Sequence, residues 1–115
     1  SRNMLLIVGE NTRFDTDWVP FEIAQAIDWY ELPIIVAYPA FPYITKPSAL
    51  RPLWPAALSS RIDNGTAHCI HIPFKQAPIK HAIEAFDHDN YPLGGGLGIY
   101  SWESYLGWGL AQNSA

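Results

Sequence analysis

"MLLIVGENTRFDTDWVPFEIAQAIDWYELPIIVAY", residues 4–38, decides the fold. Two continuously apolar runs, 4–8 and 34–38, lie at its ends, the second rich in β-branched residues. Runs of this length without polar alternation suit strands covered on both faces, as in parallel sheets. Between them Val19, Ile23, Ala26, Ile27 and Tyr30 recur at helical spacing and mark one buried stripe. Thr16 is placed to cap that helix, and Asp15 and Asp17 suit the positive end of its dipole. Pro20 falls within the first turn, where its missing N–H costs nothing, and Pro33 ends the helix before the second strand. A helix over 17–30 between two strands is a β-α-β unit, whose crossover is expected to be right-handed.

Working outward, residues 39–66 read as an irregular, proline-rich insertion, with one helical turn at 48–50 and a short helix over 56–62. Asn64-Gly65-Thr66 is a turn. A third strand is expected over 67–72 and a short helix over 78–86. The segment 87–115 mixes glycine and aromatics without periodicity. In it 94–98 reads as a flexible connector and 102–108 as a turn of helix. A buried strand so near the start calls for neighbours from earlier sequence. The 115 residues are therefore expected to form a single but incomplete α/β domain lacking its N-terminal strands. The edge at 4–8 would then be covered by further sequence or by a second copy of the chain.

Composition narrows the function classes. An apolar fraction of 49% and an aromatic fraction of 14% belong to a packed globular chain. With a net charge of −4 and no basic stripe, nucleic acid is not the expected partner. The longest apolar run, around residues 32–42, contains three prolines and is too short to span a bilayer, so no membrane span is expected. One cysteine, Cys69, excludes an internal disulfide and suits the cytoplasm. His68-Cys69-Ile70-His71, with His81, Asp87 and His88, raises the question of a metal. On a strand His68 and His71 point to opposite faces, and no second spaced pair supports zinc, so no metal site is expected. Residues 94–98 lack the strand before and the helix after that a dinucleotide fingerprint needs.

The remaining candidate is Glu22, four residues after Trp18 and on the same helix face, beside the core stripe rather than within it. On spacing alone it is a solvated carboxylate near a helix start, or a group lining a cleft at the strands' C-terminal ends. The context adds to this. "LIVGENT…WVPFEI" followed by "PIIVAY" resembles the second half of a TIR domain, where a strand and a polar loop lead into a W-x-x-x-E helix start. It is most similar to bacterial TIR-like proteins of the Thoeris anti-phage type, over about residues 3–40. That resemblance implies a flavodoxin-like parallel sheet with flanking helices. It further implies an enzyme that cleaves the nicotinamide–ribose bond of NAD, as nucleosidase or as cyclase producing a cyclic ADP-ribose signal. By the same resemblance Glu22 is the catalytic carboxylate, with Trp18, Gly9, Asn11 and Thr12 around the substrate. NAD is then substrate rather than cofactor, TIR–TIR self-association is implied, and a separate effector senses the product. Two other readings stand beside it: a TIR-type assembly module without chemistry, and a nucleoside N-glycosidic-bond hydrolase or transferase.

Overall fold

The structure, a computed structural model, describes residues 2–112; Ser1 and residues 113–115, the ends of the expected domain, lie outside them. β1 (Met4–Ile7), β2 (Ile34–Tyr38), β3 (Cys69–Pro73) and β4 (Gly98–Ile99) form one sheet in that order. Every neighbouring pair is parallel. The fold is thus α/β, an all-parallel sheet flanked by helices, as expected of a flavodoxin-like arrangement.

The two faces follow from the alternation of side chains along each strand. Leu6, Val8, Ile34, Val36, Tyr38 and Cys69 face α1 (Trp18–Ala24) and α2 (Ala56–Asp63), which bring Ile23 and Leu58 into the same core. The intervening residues Ile35, Ala37, Ile70 and Ile72 face α3 (Gln76–Ala85) through Ala82 and Ile79. The strands are laid down side by side in one direction, while α1 and α2 lie on one face and α3 on the other. The β3-to-β4 connection begins on the α3 face and ends on the α2 face, and β4 itself is only two residues long. The chain reaches it by passing from α3 through a 3-10 turn, Gly95–Leu97, that sits against α2 and β3.

Several expected details change. The helix after β1 is α-helical only over Trp18–Ala24 and continues as a π turn, Gln25–Trp29. Val19, Ile23, Ala26 and Ile27 form the inward stripe as expected, but Tyr30 is 62% exposed. The i→i+5 bond from Tyr30 N–H to the Gln25 carbonyl inserts an extra residue into the turn and rotates Tyr30 off the stripe. The cap also differs: the Asp15 carboxylate, not Thr16, accepts the N–H groups of Asp17 and Trp18 at 2.9 and 3.0 Å. The segment 94–98 is no flexible connector. A Cβ on Gly98 would lie 2.5 Å from the carbonyl oxygens of Cys69 and Leu93, so this backbone is wedged where only glycine fits.

β1 is an edge strand. Its Met4 and Val8 N–H groups bond toward β2, at the carbonyls of Pro33 and Ala37, so the alternating Leu5 and Ile7 backbones face outward. The Thr12 hydroxyl donates to the Ile7 carbonyl there and blunts part of the edge. Among the described residues no helix is long and apolar enough to cross a membrane.

Candidate functional site

Glu22 sits one turn into α1, half-buried, on the flank between the inward stripe and the exposed outer face. It lines a cavity of ≈ 470 Å³ with Asn3, Met4, Gln25, Ala26, Tyr30 and Leu32. The helix runs antiparallel to β1, so each further turn lies nearer the strands' N-terminal ends. The cavity follows that direction and opens beside the starts of β1 and β2. This corrects the expected position, a cleft at the C-terminal ends of the strands. That placement follows from the strand order as well. A ligand crevice forms at such ends where the strand order reverses, and this sheet runs β1 to β4 without reversal.

The other expected site residues stand apart from that cavity. Trp18 is largely exposed on the outer face of α1 and stacks on Phe21 with ring centroids 5.9 Å apart. The Gly9 N–H donates to the Thr12 hydroxyl at 2.9 Å, and that hydroxyl donates to the Ile7 carbonyl at 3.3 Å. The Asn11 carbonyl accepts from the Phe14 N–H as the chain enters a 3-10 turn, Thr12–Phe14. Gly9, Asn11 and Thr12 thus make a self-bonded loop between β1 and α1, and none of them lines the Glu22 cavity.

What the cavity offers chemically is one carboxylate among neutral groups. The Gln25 N–H donates to the Glu22 backbone carbonyl, but among the described residues nothing donates to the Glu22 carboxylate, whose oxygens are open to a ligand. Gln25 and Tyr30 supply an amide and a phenol beside it, and Met4, Ala26 and Leu32 supply apolar wall. The Asn3 amide is already committed, donating to the carbonyls of Ile83 and Phe86 at 2.9 Å each. A lone carboxylate in a partly apolar recess can bind or stabilise a positive charge.

A second polar assembly, not anticipated from the sequence, lies in the core. The Trp54 indole N–H donates to the Tyr38 hydroxyl at 2.8 Å, and Tyr38 lies 2.6 Å from His71 Nδ1. His71 Nε2 lies 2.8 Å from the Gly96 carbonyl. Donor counting assigns every proton. Trp54 can only donate and the carbonyl can only accept, so Tyr38 donates to Nδ1 and Nε2–H donates to Gly96. Burial holds His71 down at about 4, partly offset by its bond to Gly96, and burial pushes the Tyr38 hydroxyl up despite the Trp54 bond. With both ring nitrogens engaged, His71 has none left for a metal. Neighbouring Cys69 is buried among apolar side chains, which push its thiol up to about 12. The signal that could have exposed this chain was the register. Tyr38 and His71 occupy inward positions of otherwise apolar strands, where a polar group needs a partner.

His68, the other half of that histidine pair, lies on a different surface. It stacks on Tyr91 at 3.9 Å, and the Tyr91 hydroxyl donates to the Glu31 carbonyl at 2.7 Å. Beside it Arg61 pairs with Asp28 at 2.6 Å, which holds the Asp28 carboxyl below its usual range. Among the described residues no group of three His, Cys, Asp or Glu could hold a metal ion. Compared with protein-family models, with curated proteins and with solved structures, the chain matches none.

Proposed function

We propose that the chain is an NAD-cleaving, TIR-like enzyme of bacterial anti-phage defence in which Glu22 is the catalytic carboxylate. The observation that carries the reading is the open Glu22 carboxylate in a recess of ≈ 470 Å³, a volume suited to the nicotinamide–ribose end of the substrate. The N-glycosidic C–N bond breaks with its electron pair moving to the pyridinium nitrogen, so nicotinamide leaves neutral and needs no general acid. The ribose left behind is oxocarbenium-like, and the negative charge of Glu22 stabilises it. Water then adds and loses a proton to give ADP-ribose, or a nucleophile within the ADP-ribose adds instead and gives a cyclic product. Gln25 and Tyr30 are placed to hydrogen-bond the ribose or the carboxamide. Trp18 and the loop 9–12 lie away from the recess and take no part at the reacting centre in this reading.

The test is incubation of the folded chain with NAD, followed by chromatography of the products. Nicotinamide with ADP-ribose or a cyclic isomer is expected; a folded chain that releases none overturns the enzymatic reading. In that case the second reading, an assembly module, takes its place. It is favoured by one observation, the large exposed Leu5 and Ile7 side chains on the open edge strand, 38% and 46% exposed. Sedimentation would then show association that Ile7→Lys abolishes. A nucleoside in place of NAD, cleaved at its N-glycosidic bond, would direct the same carboxylate to the third reading.

A further inference from the structure

The outer face of α1 carries an unusual load. Trp18 and Phe21 in α1, and Gln25 and Trp29 at the two ends of the π turn that follows it, are all exposed, while Ile23 and Ile27 of the same segment are buried. Trp18, Phe21, Trp29 and the flanking Tyr30 are 64%, 55%, 80% and 62% exposed. An aromatic side chain covers about 150–250 Å² when buried, so these four present on the order of 500 Å² of ring surface. A patch of that size on a monomer is commonly functional. The polar groups between the rings bring the face toward the about 800 Å² that one partner contributes to a standard interface.

The charge around the face is of one sign. Residues 14–45 contain no lysine or arginine. Asp17 and Glu22 flank the rings in the chain, and among the described residues no cation pairs with them; Asp28 is taken by Arg61. Arg13, just before the helix, is held over the Phe14 ring and by the Pro52 carbonyl. Nucleic acid and anionic lipid are repelled by such a rim. A second copy laid along the same face would set acids against acids.

We infer that the outer face of α1 is a docking surface for a cationic amphipathic helix of another protein. Apolar side chains of that helix pack into the spaces between Trp18, Phe21 and Trp29. Its arginines or lysines meet Asp17 and Glu22 and lie over the exposed rings. The face runs from Trp18 to Trp29 along α1 and the π turn, long enough for about two turns of the partner to lie along it. The inference does not rest on the NAD reading, although the face borders the recess and shares Glu22, Gln25 and Tyr30 with it. Phe21 and Trp29 lie outside the recess, so Phe21→Ser with Trp29→Ser is the variant that tells docking from cleavage. Loss of cleavage without loss of docking, or the reverse, separates the two.

The test uses fluorescence anisotropy with a labelled 18-residue peptide of leucine and arginine in amphipathic order, a scrambled peptide of the same composition, and a leucine–glutamate counterpart. The amphipathic cationic peptide is expected to bind at physiological salt, and the other two at least about tenfold more weakly. Phe21→Ser with Trp29→Ser, which leaves the charge unchanged at exposed positions, should weaken binding at least about tenfold. Gln25→Lys, a second exposed substitution in the middle of the face, should weaken it too, with thermal melts confirming that both variants fold. Equal binding of the amphipathic and scrambled peptides would reduce the face to unspecific charge and overturn the proposal. So would unchanged binding by the variants, no binding by the wild type, or a homodimer that Phe21→Ser with Trp29→Ser dissolves.

Discussion

His71 shows what one buried polar residue does here. It joins β3 to the glycine turn through Gly96 and to β2 and the proline-rich segment through Tyr38 and Trp54. Its folded pKa of about 4 against an ordinary 6.5 makes the neutral ring part of the fold. Below pH 6.5 the unfolded chain takes up a proton that the folded chain does not, so stability falls as pH falls. The loss is complete below about pH 4 and amounts to about 3 kcal/mol. Urea midpoints measured between pH 7 and pH 4 should therefore drop steadily, and His71→Leu should flatten that slope while starting from a lower stability at pH 7. A wild-type midpoint unchanged between pH 6.5 and pH 4.5 would contradict the buried neutral ring. Asp28 and Asp87, both held below 3.8, add their own loss only at lower pH. The sequence marked His71 as notable but not for this reason. A metal question arises from neighbouring residue types, whereas its real partners lie far off in the chain and meet it only through strand register.

At the scale of elements, β1, α1, β2, α2, β3 and α3 were all legible, because each has a long apolar run or a helical stripe to announce it. β4 was not. A strand of two residues, one of them glycine, carries no periodicity, and its position is set by close backbone approach instead. The test of that approach is Gly98→Ala. Its Cβ would meet two backbone carbonyl oxygens at 2.5 Å, and neither can swing aside as a side chain could. The expected cost is about 3 kcal/mol, near the upper end for overpacking. Gly96→Ala meets only the Ile62 side chain, near 2.9 Å, and should cost less. Similar melting temperatures for the two alanine variants would mean that the glycine turn is not wedged. The π turn was equally hidden, since residue types at 25–29 suit either helix; its trace is Tyr30, exposed where a plain α-helix would have turned it inward.

For the molecule as a whole, the parallel sheet and the helix on its face were readable from residues 4–38, but the place of the site was not. The W-x-x-x-E spacing puts Trp18 and Glu22 on neighbouring lines of α1, yet the sheet's order decides what each line faces. With strands laid down one after another and β1 at the edge, Trp18 turns to the exterior and Glu22 toward the recess beside Asn3, Met4 and Leu32. The functional account therefore rests on that carboxylate, and it is tested most directly by the rate of nicotinamide release from NAD. Wild type and Glu22→Gln are to be compared at matched folded fraction. Glutamine keeps the shape and removes the charge. If Glu22 stabilises the cationic ribose, the rate should fall by about 10²–10³ with little change in melting temperature. Equal rates in the two proteins would contradict the assignment of Glu22 as the catalytic residue.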